Sequence, residues 1–383
     1  MKASGADPAG DAGALAGAPE SGGRAIRSLV LRVAGVVAVP VVSYLLLGRT
    51  LDFLRNEDAN RGIVVLVAIT IGVGGIFVLF WGMDRVVDWL PDRAAETLRP
   101  YVFVGPALVI VSVILVYPVI NTILISFKDA RSETFVGLSN YRFVFTDPVM
   151  LTALRNTAGW VVLVPLVAVS VGLLFATLAD RLRRGEAVAK SLIFLPMAIS
   201  FAGASIVWRL IYSFRPQGFG SNIGLLNGIV LGLGKNPIDW IGLRPWNNLL
   251  LMVIMVWVQT GFAMVVLSAA IKAIPDELIE AARIDGASEL QVFRHIIVPS
   301  ILPTIAVVTT YMVIVGLKVF DIPFVFGNTE AAGTVVIAER MLYWFFIGGN
   351  FGRGAAVAVV LFVAVIPVMI WNIRRFREQE ATR

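Results

Sequence analysis

The chain has 383 residues, 58% of them apolar before glycine is counted, and a mean hydropathy of +0.83. Soluble domains carry about 45–50% apolar residues with glycine included, so a soluble fold is excluded and an all-α polytopic membrane protein is expected. The absence of cysteine excludes disulfides, thiolate nucleophiles and Cys-based metal sites, the single His295 leaves little room for imidazole chemistry, and the net charge of +6 falls on loop arginines rather than on a nucleic-acid stripe.

Residues 1–23, rich in Ala, Gly, Pro and Ser without apolar periodicity, are expected to form a disordered cytoplasmic tail. Arg24, Arg27 and Arg32 flank a first apolar stretch at 29–48, long enough to span and too long for a signal-peptide core, so it is expected to be a retained anchor. A second span is expected at 62–82, followed by an amphipathic connector at 83–99 and a third span at 101–126. Further spans are expected at 156–179, 191–213, 248–271, 300–326 and 353–373, which makes eight. Arg181, Arg183, Arg184 and Lys190 crowd the short loop 180–190, and Arg374, Arg375 and Arg377 follow the last span. The positive-inside rule then puts both termini, this loop and the loop 274–299 in the cytoplasm, with the long loops 214–247 and 327–352 outside.

The loop 274–299 has an internal grammar. Pro275 suits a first helical turn, and Asp276 and Glu277 follow at the positive end of the dipole. Leu278, Ala281, Ala282 and Asp285 recur at helical spacing, and Gly286 stands where a left-handed residue would stop the helix. Ser288 and Gln291 form the sequence of a capping box that starts a second short helix running to Pro299. A helix–turn–helix lying across one membrane face is expected.

Glu280-Ala281-Ala282, three residues, Gly286, nine residues, then Ile296 and Pro299 resembles the EAA loop of ABC-importer permease subunits; only Val298 departs, where leucine is usual. The longer run from Ile274 to Ala287 is similar to permeases of bacterial carbohydrate importers of the maltose/α-glucoside type. The run Phe135-Val136-Gly137-Leu138-Ser139-Asn140-Tyr141 is similar to an element after their first core helix. This resemblance covers roughly residues 101–379. It implies a six-helix, MetI-like permease core preceded by two extra helices (24–100), in a bacterial inner membrane. It implies as partners a second homologous permease, two ATPase subunits and an extracytoplasmic solute-binding protein. ATP and magnesium would belong to the ATPase, and no cofactor or enzymatic activity to this chain. Glu280, Ala281, Ala282, Asp285, Gly286, Ile296 and Pro299 would then contact the ATPase. The alternative reading of the loop is an interfacial amphipathic helix.

Charge inside a membrane is costly and usually functional. Lys318 and Asp321, in a K-x-F-D run that such permeases often carry, either line a polar path or form an ion pair that fixes helix packing. Gln259, Thr260 and Tyr311 are further path candidates, and Trp208, Tyr212 and Trp257 offer faces on which a sugar ring could stack; single aromatic residues also collect at membrane interfaces. Gly228…Gly234-Lys235 is not a phosphate loop, because the spacing is one residue too long and Asn236 replaces the required Ser or Thr. After Asp321 the residues 327–334 depart from the family's T-x-G-G-P-like run. The rival reading is an ion-coupled secondary transporter, which would show inverted repeats, broken helices and several buried carboxylates. A membrane enzyme would need a cluster of His, Asp, Glu or Cys, and none is visible.

Overall fold

The computed structural model describes residues 60–88, 92–182, 184–216, 220 and 223–381, together with 48–49 and 53–54. The expected tail and, apart from Gly48, the expected first span lie outside the described residues. The chain forms two compact units, Met1–Pro118 and Val119–Arg383. Among the described residues everything regular is helical, apart from one antiparallel bridge between Lys128 and Phe135.

In the first unit, α1 (Arg61–Asp88) and α2 (Asp92–Val111) make a hairpin. Phe80 stacks on Phe103 at 6.0 Å, and Arg99 reaches Asp88 at 3.2 Å. The expected connector is therefore mostly the two helix ends. A π-helical stretch, Ser112–Val116, joins α2 to α3 (Tyr117–Ile125).

In the second unit, the F-V-G-L-S-N-Y run closes a turn. Asn140 donates to the carbonyls of Ser126 and Lys128 at 2.9 and 2.7 Å, and the Tyr141 hydroxyl meets Ser126 Oγ at 2.7 Å. Gly137 sits at φ +59°, which a side chain disfavours. The Thr134 hydroxyl and the Glu133 amide hold the Asp129 carboxyl in that turn below the usual carboxylate range. Helix α4 (Ser139–Thr146) follows.

The core is built around α5 (Pro148–Asp180) and α9 (Trp246–Lys272). Asp147 caps α5 by accepting from the amides of Val149 and Met150, both at 3.0 Å, and Pro148 takes the first turn, where no amide is needed. Glycines set the helix spacing. A Cβ on Gly172 of α5 would stand 2.5 Å from Ala263 Cβ, and one on Gly261 would stand 2.5 Å from the Ile193 carbonyl. Around these contacts Trp160, Leu251, Met255 and Ile254 form one buried cluster, and Ala168, Met264, Leu267, Ile301 and Met312 another. Helix α12 (Val298–Leu317) packs on both α5 and α9.

The expected span at 191–213 is not one helix. Helix α6 (Glu186–Phe194) passes through a tight turn, Leu195–Ala198, into α7 (Phe201–Ile211), and the two arms are bent by 100°. Pro196 cannot donate to a continuing helix, and Ser200 starts a new one by accepting from Gly203 N at 3.1 Å. The expected span at 300–326 also ends early. Helix α12 stops at Leu317, Phe320 leaves helical geometry at φ −141°, and a short helix, Asp321–Phe326, begins afresh.

The long loops 214–247 and 327–352 carry structure. Leu225–Gly232 is α8, pinned by Asn227, whose side chain reaches the carbonyls of Ser213 and Ile238 at 2.9 and 3.0 Å. Ile337–Phe346 forms a helix packed on the last one, Phe351–Ala381. Among the described residues six helical stretches are long and apolar enough to cross a membrane, and the bent pair makes a seventh. These match seven of the eight expected spans.

Candidate coupling loop and substrate path

The loop 274–299 folds as its sequence predicts. Helix α10 (Asp276–Ile284) begins after Pro275, which is extended at ψ 130° and so precedes the helix rather than occupying its first turn. Its end is a full Schellman motif: Ala287 N donates to Ala282 O at 3.0 Å, Gly286 N donates to Arg283 O at 3.1 Å, and Gly286 takes φ +82°. The next turn, α11 (Glu289–Val292), opens with both halves of the capping box, Gln291 N to Ser288 Oγ and Ser288 N to Gln291 Oε1. A π-helical stretch, Phe293–Ile297, then merges into α12, with Pro299 in its first turn. Two local stop-and-start signals therefore fix the hinge.

Ion pairs tie this hinge down. Glu289 accepts from Arg283 at 2.9 Å and from Arg181, just past the end of α5, at 3.0 Å. Beneath them Asp180, Glu186, Lys190, Lys272 and Ser268 join the ends of α5, α6 and α9 in one network. Lys190 bonds Asp180, Glu186 and Ser268, and Lys272 bonds Glu186. These pairs put the loops 180–190 and 274–299 on the same side.

Ile274 is buried, and Ile279 packs with it against the bundle. Away from the bundle, Leu278, Ile284 and Leu290 are 52%, 84% and 73% exposed. Three exposed apolar side chains on so polar a loop are open to contact with a partner. Glu280, Ala281, Asp285, Gly286 and Pro299 are exposed with it, whereas Ala282 and Ile296 are half-buried within the chain. The two alanines therefore differ: Ala281 is the accessible one. Sequence reading missed Ile284 and Leu290, although an apolar residue at the end of so polar a helix was the available signal. His295 is exposed and bonds only the Gln291 carbonyl, at 3.1 Å.

The path candidates separate into three places. Trp257 meets Trp208 edge-on at 5.8 Å, and Trp208 meets Tyr212 at 5.3 Å, which brings the three expected aromatics together. The Tyr212 hydroxyl is already committed to the Leu250 carbonyl at 3.0 Å, whereas the buried Trp208 Nε1 has no partner among the described residues. Gln259, two residues after Trp257 and so turned to another face of α9, is buried with its Oε1 unpartnered among the described residues, and Thr260 bonds back to Val256. Tyr311 stands elsewhere, against Phe262 at 4.7 Å. Lys318 and Asp321 form no ion pair, because the helix ends between them; Lys318 is exposed and Asp321 half-buried.

Sequence reading also missed a buried polar group near residue 330. Arg340 pairs with Glu339 at 2.8 Å and with Glu330 at 3.2 Å, Thr329 donates to Glu339, and Asn156 and Asn247 donate to the carbonyls of Gly333, Val335 and Ala332. This network occupies the segment where the sequence departs from the T-x-G-G-P-like run.

The family of binding-protein-dependent transport system inner membrane components matches residues 168–374. The chain belongs to this family. It is 53% identical over 281 residues to the osmoprotective compounds uptake permease GgtC of Synechocystis, covering 73% of this chain and 100% of that one. It is 46% identical over 327 residues to the alpha-glucoside transport system permease AglF of Rhizobium meliloti, covering 81% and 96%. In fold it is similar to a chain of a bacterial ABC transporter that imports the acidic polysaccharide alginate, with a TM-score of 0.63, 20% identity, and coverage of 75% and 99%. The chain is thus a multi-span inner-membrane permease component of a binding-protein-dependent system, and not an enzyme. The bent α6–α7 pair is a feature that the ion-coupled rival would also show, but family membership decides against that rival.

Proposed function

We propose that the chain forms half of the membrane pathway of an ATP-driven carbohydrate importer, with an α-glucoside or related oligosaccharide as cargo. A second permease would form the other half, and two ATPase subunits, which hold the ATP and magnesium, would drive alternating access through the loop 274–299. The carrying observation is that Leu278, Ile284 and Leu290 each stand exposed on a loop whose turn is fixed by a Schellman motif and a capping box. A loop whose turn is locally fixed and which exposes apolar side chains is suited to transmit motion from a docked protein, because little of the displacement is lost within the turn itself.

The names of the relatives support the cargo class: alpha-glucosides for AglF, and trehalose and maltose for the MalF permease of Thermococcus litoralis, which is 28% identical. The Trp208, Tyr212 and Trp257 cluster supplies ring faces for a sugar, and Trp208 Nε1, without a partner among the described residues, offers a donor beside them. In the purified complex, Ile284→Asp is expected to lower sugar-stimulated ATP hydrolysis and uptake together by at least tenfold while insertion stays normal. Full coupled activity in Ile284→Asp and in Ala281→Trp would remove the loop as the transmitting element.

A further inference from the structure

At the end of α5 and α9 remote from the loop 274–299, a cavity of about 480 Å³ opens between these helices and the segment 330–335. Its polar part holds Arg155, Arg244 and Asn248, and its apolar wall includes Leu163, Leu249 and Met252. Neither Arg155 nor Arg244 has an ion-pair partner among the described residues, and both are exposed. Glu330 lies on the rim but is already engaged by Arg340. The cavity is therefore cationic at one end and apolar at the other.

The depth of these residues follows from helix rise. The network of Asp180, Lys190 and Lys272 marks one membrane boundary. At 1.5 Å per residue, Leu163 stands about 25 Å from Asp180 along α5 and Arg155 about 37 Å. On α9, Met252 stands about 30 Å from Lys272 by the same rise. The hydrocarbon layer is about 30 Å thick. Leu163 therefore falls at acyl-chain depth and Met252 at the edge of that layer, while Leu249, about 34 Å from Lys272, and Arg155 fall at the headgroup level of the opposite leaflet. Leu163 also leaves more than a third of its surface uncovered, so the wall is open to that layer.

We propose that this cavity seats a glycerophospholipid of the leaflet opposite the loop 274–299, with its phosphodiester held by Arg155 and Arg244. A guanidinium presents several donors in one plane and suits a phosphate better than a neutral sugar. Asn248, which also lines the cavity, adds a neutral donor: its Oδ1 accepts from Trp160 at 3.1 Å, so its amide nitrogen is the group left to donate. An acyl chain would run from Met252 onto Leu163, with Leu249 beside the glycerol region.

The test uses the full-length chain purified from its membrane with its native partners, stripped of lipid by detergent exchange, and titrated with phosphatidylglycerol under native mass spectrometry. One tightly held lipid per chain is expected, weakened at least tenfold by Arg155→Gln with Arg244→Gln. Gly159→Leu should weaken it comparably with both charges intact, because a Cβ there meets only the end of the Met252 side chain, at 3.2 Å, and the rest of the new side chain enters the cavity. Unchanged melting of the lipid-free variants separates lost binding from lost folding. A photo-crosslinker at Thr152 should form lipid adducts. Wild-type affinity in both variants, inorganic phosphate binding as tightly as the lipid, or adducts to another protein chain instead of lipid would each overturn the proposal.

Discussion

Gly286 shows how one residue can matter through backbone alone. A Cβ at this position meets no atom within 4 Å, so there is space for a side chain, yet φ is +82°. The left-handed region costs an L-residue about 1–2 kcal/mol, less for asparagine and more for a β-branched residue. Gly286→Val is therefore expected to open the turn between α10 and α11 and cut coupled transport severely, whereas Gly286→Asn should keep most of it. Equal activity of the two variants would mean that the position is limited by contact with a partner and not by conformation. Gly261 is the opposite case, in which the backbone is ordinary and space is lacking. A methyl there would press on the Ile193 carbonyl at 2.5 Å, so Gly261→Ala should destabilise the α6–α9 contact by about 1–3 kcal/mol, read as lower yield and melting temperature of the purified protein.

Breaks between elements decide what the intramembrane charges can do. Lys318 caps α12 and Asp321 opens the next short helix, so the i, i+3 geometry that would pair them on one continuous helix is absent. Reversing both charges, Lys318→Asp with Asp321→Lys, is accordingly expected to give no rescue beyond the single variants, measured as assembly into the complex; rescue would restore the ion-pair reading. The same two helix breaks mark the limit of what the sequence made legible. The hinge at Gly286 and Ser288 was readable because each signal acts within four residues: a left-handed stop and a reciprocal cap. The bend at Pro196 and Ser200 carried equally local signals, but they lay inside a long apolar run, and hydropathy averaged over a span hides a single proline. The network of Glu330, Glu339 and Arg340 was not readable, because the backbone of the segment that carries it is held by Asn156, Asn247 and Thr157 from distant spans, which no local pattern places nearby. For the candidate site, the residue types of the loop were legible but their exposure was not: Ala281 and Ala282 are neighbours in sequence, yet only the first is open.

The whole molecule must present the loops 180–190 and 274–299 to one compartment. Arg181 pairs with Glu289 at 3.0 Å across more than a hundred residues of sequence, and the network of Asp180, Glu186, Lys190 and Lys272 joins the helix ends beside that pair. No arrangement that sends these loops to opposite sides can keep both contacts. The segments at the other ends of α5 and α9, 214–247 and 327–352, then face the other compartment. Their tie is the bond from Asn247 to Ala332 O at 2.8 Å. Positive charge gives the absolute sense, since Arg181, Arg184 and Lys190 lie on the first side. Reporter fusions within 180–190 and 274–299 are therefore expected to read cytoplasmic, as should the C-terminus after Arg374. Fusions within 214–247 and 327–352 should read external. An external 274–299 loop with a cytoplasmic 214–247 would invert the charge argument and put the proposed docking surface where no ATPase can reach it. A split result, with 180–190 and 274–299 on opposite sides, would instead contradict the Arg181–Glu289 contact itself. The two failures are distinguishable in one set of fusions.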